Sequence, residues 1–277
     1  MRMKKTDRIR AGCSRIMIMM LVICMAISFS FVTVEKDVFA AANNPVQADT
    51  IMLQKNISGK FPAGTTDDAY HYYKFKTLGA KGVKYVLKCA NISIDESTTR
   101  RMEYSIIDSN YVDCEDADVK VSEIVDGYYF GGGGPIMYLW ESGSSGSITY
   151  NSLKPNSEYF VKVKFYNFRD TSEDNTYAIQ VAAQIEKPSK PALKTVKPGK
   201  RVIKVSYKKA KYADRYQIQI KKGSGSWKTY NNGSKLNKTF KKLKKGKKYS
   251  VRVRAQRKVN GKWYNSKWST KKTVTVK

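Results

Sequence analysis

The chain has 277 residues, with 52 lysines and arginines against 23 aspartates and glutamates, a formal net charge of +29, four cysteines and one histidine. That length exceeds one small domain and suits two of ordinary size. No Cys/His spacing resembles a zinc site, and a hydrolytic triad has a single candidate for its base, His71.

The chain opens on "MRMKKTDRIRAGCSR", a basic leader, followed by an uncharged apolar run from Ile16 to Val34. Val38-Phe39-Ala40 or Ala40-Ala41-Ala42 then offers small residues for cleavage. Residues 1–42 therefore read as a secretory signal peptide. The apolar run is longer than the usual ~7 to 15 residue core and close to the ~20 that span a bilayer, so an uncleaved anchor is the alternative. In both cases the basic flank stays inside and the body is exported. Cys24 follows bulky Ile23 and is followed by more apolar residues, which argues against lipid modification. Beyond the leader only Cys89 and Cys114 remain. They make either one disulfide, worth ~2 to 4 kcal/mol in an oxidising compartment, or two free thiols.

Residues 43–186 carry 14 basic and 19 acidic side chains. The runs "YHYYKFKTL", "KYVLKCANISI", "MEYSIID", "SITYNSL", "EYFVKVKFYNF" and "NTYAIQVAAQI" alternate as half-buried strands do, predicting an all-β sandwich. His71 shares a strand face with Tyr73 and Phe75, the setting of a packed structural histidine. "ESGSSGS" (Glu141 to Ser147) lacks the spacing of a nucleophile elbow and reads as a flexible turn. "GGGG" (Gly131 to Gly134) lacks the Lys-Ser/Thr and the helix of a phosphate loop. "DSNYVDCEDADVKVSE" gathers Asp108, Asp113, Glu115, Asp116 and Asp118, oxygen donors of the kind calcium takes. It has neither the glycine turn nor the closing glutamate of an EF-hand, and solvated surface charge is the alternative.

"EKPSKPALKTVKPGK" follows, with Pro188, Pro191 and Pro198 marking a stiff linker and the entry to a new unit. Residues 187–277 then hold 31 basic side chains and one acid, Asp214. "RVIKVSY", "DRYQIQI", "SWKTY", "KYSVRVRAQ" and "KKTVTVK" are strands at the spacing of a second sandwich. Asn260-Gly261 signals a hairpin turn. Alternation places Tyr216, Ile218 and Ile220 on one face. Likewise Tyr249, Val251 and Val253 go to the core, and Ser250, Arg252, Arg254 and Gln256 to the open face.

"PALKTVKPGKRVIKVSYKKAKYADRYQIQIKK", then Leu243, Tyr249, Val251 and Val253, then "YNSKWS", resembles a fibronectin type III domain over about 188–277, most of all versions from extracellular proteins of Gram-positive bacteria. Tyr207 stands where that family usually carries a tryptophan. The resemblance implies a seven-stranded sandwich without catalytic residues, used as spacer or binding module. In the first domain, "ISGKFPAGTTDDAYHYYKFKTL", then "LKPNSEYFVKVKF" and "NTYAIQV", resembles the bacterial pre-peptidase C-terminal domain, at the two ends more than in the middle. It departs at His71, where that family commonly has an acid. This resemblance implies a compact sandwich for targeting or substrate adhesion.

"LKPNSEYFVKV" (Leu153 to Val163) and "LKKGKKYSVRV" (Leu243 to Val253) share Leu, Tyr, Val and Val at identical spacing, the pattern of a tyrosine corner. The first copy does without lysines at its turn, so the fold does not require them. Evenly mixed charges would serve solubility as well, and the excess therefore points to an anionic partner. The expected surface joins Lys221, Arg252 and Arg254 on the sheet face to Lys241, Lys242, Lys244, Lys245, Lys247 and Lys248 at one end. Trp227, Trp263, Tyr264 and Trp268 are expected to add stacking for sugars, with at least one tryptophan in the core.

The reading is a secreted, cell-surface-associated, non-catalytic binding or adhesion protein whose basic domain contacts an anionic cell-wall polymer or another extracellular polyanion. The first domain has an unknown protein or glycan ligand. No cofactor is implied apart from calcium at the acidic loop. Sequence-specific nucleic-acid binding is excluded by export and by the lack of a groove-entering helix. An accessory substrate-binding module, or a weak hydrolase acting on extracellular polysaccharide or protein, is the alternative.

Overall fold

The computed structural model describes residues 43–65, 69–94, 100–115, 117–121, 135–139, 142–167 and 173–277. The signal segment, Asp116, Gly131 to Gly134 and Glu141 lie outside the described residues. Among the described residues every regular element longer than one short turn is a strand. Among the described residues no helix is long and apolar enough to cross a membrane.

After a 3-10 turn at Pro45–Gln47 come β1 (Asp49–Thr50), β2 (Asn56–Phe61), β3 (Ala69–Lys76), β4 (Val83–Ser93) and β5 (Arg100–Ile107). They are followed by β6 (Ala117–Val121), β7 (Met137–Leu139), β8 (Ser145–Tyr150), β9 (Glu158–Asn167) and β10 (Asn175–Ile185). One sheet has the order β1-β3-β9-β5-β7 and the other β2-β10-β4-β8-β6. Their facing sides bury Tyr73, Phe75, Leu87, Tyr104, Val161, Val163, Phe165 and Tyr177 among others. These are the alternate positions of the runs legible in the sequence. β2 was not legible, because Gly59 interrupts its apolar pattern. The structure requires that glycine: a Cβ there would meet the Tyr177 ring at 2.2 Å.

The second sandwich comprises β11 (Leu193–Gly199), β12 (Val202–Tyr207), β13 (Arg215–Lys222), β14 (Lys228–Asn231), β15 (Asn237–Phe240), β16 (Lys248–Val259), β17 (Lys262–Asn265) and β18 (Lys272–Thr275). A sheet β11-β12-β15 packs on a sheet β14-β13-β16-β17, with β18 pairing the start of β16. Counting β17 and β18 as two pieces of one edge strand gives the seven strands expected. Between the pieces, serine hydroxyls continue the pairing: Ser266 Oγ accepts from Ala255 N at 2.9 Å and Ser269 Oγ from Val253 N at 3.0 Å. Asn260 and Gly261, both at positive φ, form the two-residue turn between Val259 and Lys262. The core holds Tyr207, Tyr216, Ile218, Tyr249, Val251 and Val253. Tyr207 is buried in this core and donates to Lys235 O at 2.6 Å.

Pro198 is not part of a linker. It lies in β11, paired with Ile203, and an edge strand tolerates a residue without an N–H. The connection is shorter, with Pro188 and Pro191 both buried. Arg257, near the end of β16, is 4% exposed and closes the joint between the sandwiches. Its guanidinium donates to Gly82 O at 3.1 Å, to Glu186 O at 2.9 Å and to Lys81 O. It also lies over the Tyr212 ring at 4.8 Å. That ring packs so closely on Gly82 that a Cβ there would meet it at 2.3 Å.

Candidate polyanion-binding surface

β16 sets the surface by its period of two. Tyr249, Val251 and Val253 point inward, so Arg252 and Arg254 must point out. In register beside them on β13 stand Gln219 and Gln217. Arg252 Nε donates to Gln219 Oε1 at 2.7 Å, and Arg254 donates to Gln217 Oε1 through Nε at 2.9 Å and Nη2 at 2.7 Å. The guanidiniums also alternate with rings. Arg252 lies 4.3 Å from the Trp227 centroid and 4.7 Å from that of Trp268, and Arg254 lies 4.6 Å from Trp268. Lys221 sits over the outer part of this stack, 5.3 Å from Trp227. Burial, and secondly the neighbouring Arg252, push the Arg254 pKa below its usual range.

The open face is thus a ladder of cations and indoles whose contacts are internal. The sequence placed Arg252 and Arg254 on the outward face, where Arg252 Nε and Arg254 Nε and Nη2 donate to glutamines and both guanidiniums lie over tryptophans. The expectation for the tryptophans needs correction. Trp227, Trp263 and Trp268 are all half-exposed and none joins the core cluster. Their ring faces are occupied by Arg215, Arg252, Arg254 and lysines, with Arg215 only 3.5 Å from the Trp263 centroid. A ring covered in this way has little face left for a sugar.

The lysines of the corner behave differently. Lys241, Lys242, Lys244, Lys245, Lys247 and Lys248 are all exposed. The tyrosine corner holds their backbone in place: Tyr249 Oη accepts from Lys244 N at 3.2 Å, with Leu243 packed on the core. The first sandwich repeats the device, Tyr159 Oη accepting from Lys154 N at 2.9 Å above Leu153. Among the described residues the ion pairs lie between Lys60 and Asp174 and around Lys162, all in the first sandwich. Asp214, the second sandwich's single acid, accepts from the backbone N–H of Lys258 at 2.7 Å.

Among the described residues the acids of the acidic loop take separate partners. Asp108 Oδ1 accepts from Asn110 N at 2.8 Å and Val112 N at 3.1 Å, closing its own turn. Asp113 pairs with Lys162 at 3.3 Å. Asp118 belongs to β6, opposite Thr149 in the other sheet. Glu115 borders a shallow depression with Asp108, and no group of three or more metal-ligating side chains occurs among the described residues. The disulfide alternative falls away, because Cys89 and Cys114 are free thiols. Cys89 is buried in β4 against Met137, its Sγ 3.3 Å from the methionine sulfur. Burial, with Asp108 and Asp113 behind it, pushes the Cys114 thiol up to about 12.

His71 is a packed residue. Its ring stacks on Phe61 at 3.9 Å, and Nδ1 meets Tyr177 Oη at 2.6 Å, which in turn meets Tyr73 Oη at 2.8 Å. Burial lowers its pKa to about 4. The "ESGSSGS" segment is more ordered than its composition suggests, since β8 begins at Ser145 and Ser142 Oγ both accepts from Ile94 N and donates to Ile94 O.

Two features of the first sandwich were missed. Glu103, 4% exposed, accepts from Tyr166 Oη at 2.8 Å and pairs with Lys162 at 3.2 Å. Burial lowers the Lys162 pKa, but Glu103 and Asp113 outweigh it and the net shift is upward. On the same sheet Lys164 lies over Tyr70 and Tyr166, and Arg101 over Tyr166 and Tyr138, at 4.0 to 5.2 Å. The signal available was the i, i+2 spacing of Lys162, Lys164 and Tyr166, which alternation puts on the outer face.

No family model and no curated protein matches this chain. Among solved structures it is similar to the adhesin domain of Epf from Streptococcus pyogenes, with TM-score 0.43 and 13% identity over 80% of this chain and 76% of that one. It is also similar to the FN1–FN3 domains of chicken CNTN1, with TM-score 0.29 and 16% identity over 68% of each chain. A myokine structure aligns with 32% of this chain and 97% of its own, at TM-score 0.28 and 15% identity.

Proposed function

We propose that the protein is an exported, surface-retained, non-catalytic binding protein, in which a sandwich akin to the pre-peptidase C-terminal domain is held at the cell envelope by a basic fibronectin type III domain. The observation that carries this reading is the partition of charge on a folded surface. Residues 187–277 hold 31 cations and one acid, and the exposed Lys245, Lys247 and Lys248 occupy positions that the equivalent corner of the first sandwich fills with Pro155, Ser157 and Glu158. Self-repulsion of this kind costs stability. A polyanion offsets it, through counterion release that weakens steeply as salt rises. In an envelope rich in anionic polymers that charge retains the protein, and the first sandwich is free to meet a protein or glycan.

Fractionation of cells followed by a salt wash tests this. Release of the protein from the envelope at about 0.5 M salt is the expected outcome. Persistence through that wash means the leader remains as an anchor, and the charge is not what holds the protein.

A further inference from the structure

We infer that the polyanion site is the tip of the second sandwich remote from the joint, and that its ligand is a flexible linear polymer of closely spaced phosphates. This rests on the reading of the basic domain as a polyanion-binding unit and assigns the residues within it.

Three turns converge at that tip. Lys200 and Arg201 form the two-residue turn between β11 and β12, and Arg201 O accepts from Leu243 N at 3.0 Å. The corner from Lys241 to Lys248 is pinned to Val276, just past β18, through Gly246 N to Val276 O at 2.9 Å and Val276 N to Lys247 O at 3.1 Å. Lys222 ends β13, and the next residue bonds back, Gly223 N to Lys248 O at 2.9 Å. The corner lysines, Lys200, Arg201 and Lys222 are all exposed, and no aspartate or glutamate side chain lies in these turns. Asp214 is at the far end, its N–H bonded to Gln256 O at 2.9 Å. Gln256 and Lys248 are eight positions apart along β16, about 26 Å of extended strand.

The composition of the tip defines the ligand. Its cations are lysines with one arginine, flexible point charges rather than planar forks, whereas Arg252 and Arg254 are held in the ladder. Such a set reads charge density without stereochemistry, which suits a regularly phosphorylated chain. The cations come from both sheets, so a flexible polymer that folds around the tip reaches more of them than a flat bilayer does. No large exposed hydrophobic side chain lies in the three turns, so the tip lacks the apolar residues with which peripheral proteins enter lipid.

The test uses the purified protein with inorganic polyphosphate, polyglutamate of equal charge, and vesicles containing about 30% phosphatidylglycerol as probes. Two variants carry the same change in net charge: Lys200→Glu, Lys222→Glu, Lys245→Glu and Lys247→Glu at the tip, or Lys187→Glu, Lys190→Glu, Lys208→Glu and Lys209→Glu near the joint. The expected result is a polyphosphate affinity lowered about tenfold or more by the tip changes and about threefold or less by the joint changes. Amine acylation of the unmodified protein, with and without polyphosphate, gives a second readout that needs no variant. Protection must concentrate on Lys200, Lys222 and the corner. Equal losses in both variants, or protection spread evenly over the domain, overturn the tip while leaving a polyanion-binding domain in place. Tighter binding to vesicles, or to polyglutamate, overturns the phosphate polymer. No binding to any of the three sinks the underlying reading.

Discussion

Arg257→Ala separates the two sandwiches energetically. The guanidinium donates to three carbonyls of the first sandwich and covers the Tyr212 ring, from a position 4% exposed. Hydrogen bonds from a charged donor contribute ~1.5 to 3 kcal/mol each, and water reaching the vacated joint restores part of what the carbonyls lose. The net loss of coupling is about 3 to 5 kcal/mol. β16 keeps its backbone pairing, so each sandwich still folds. Differential scanning calorimetry reads the difference directly. The native chain gives one cooperative transition, and the variant gives two, because a few kcal/mol moves the midpoint of a domain this size by several degrees. Arg257→Lys falls between, since a compact ammonium lacks the planar fork that spans the carbonyls of Lys81, Gly82 and Glu186. A variant scan that superimposes on the native one refutes the joint as the source of coupling.

Other outcomes follow from the same contacts. Trp268→Ala removes the ring shared by Arg252 and Arg254 and lowers the stability of the second sandwich by ~2 to 3 kcal/mol in urea titration, while polyphosphate affinity changes less than about twofold. Tyr249→Phe leaves the Lys244 N–H without its acceptor and costs about 1 kcal/mol, with Tyr159→Phe doing the same in the first sandwich. His71 has a folded pKa near 4 against an ordinary 6.5, so the unfolded chain takes up its proton first as pH falls. Its contribution is complete above pH 6.5 and is lost progressively down to pH 4. His71→Phe flattens that part of the stability profile relative to the native chain, and an unchanged slope contradicts the assignment. Thiol titration finds Cys89 unreactive until denaturant is added, and reduction leaves the intact mass of the chain unchanged.

Much of this architecture was legible because alternation is a local signal. Tyr249, Val251 and Val253 declare a buried face within five residues, and the echo at Tyr159, Val161 and Val163 declares it twice. Several of the strands that went unread carry a reason in their composition: β2 contains Gly59, β11 contains Pro198 and Gly199, and β1 and β7 have two and three residues. The surface was legible only by face. That Arg252 and Arg254 point outward follows from the period of two. That Trp227 and Trp268 close over them depends on segments brought alongside by the tertiary fold. Arg257 shows the limit most plainly, because it sits in the same basic run as the exposed lysines and is buried. The convergence of Lys200, Lys222 and the 241–248 corner is likewise a property of sheet topology, invisible to spacing along the chain.

The claim that the second sandwich holds the envelope by charge is tested most directly by the salt dependence of binding. The affinity of the purified protein for an isolated phosphate-bearing wall polymer is measured between about 50 and 500 mM salt. The account predicts a straight fall of log affinity against log salt with a slope of magnitude about 3 or more, as expected when at least about four to five phosphates are neutralised on a single-stranded polyanion. A slope near zero with affinity retained at high salt contradicts it.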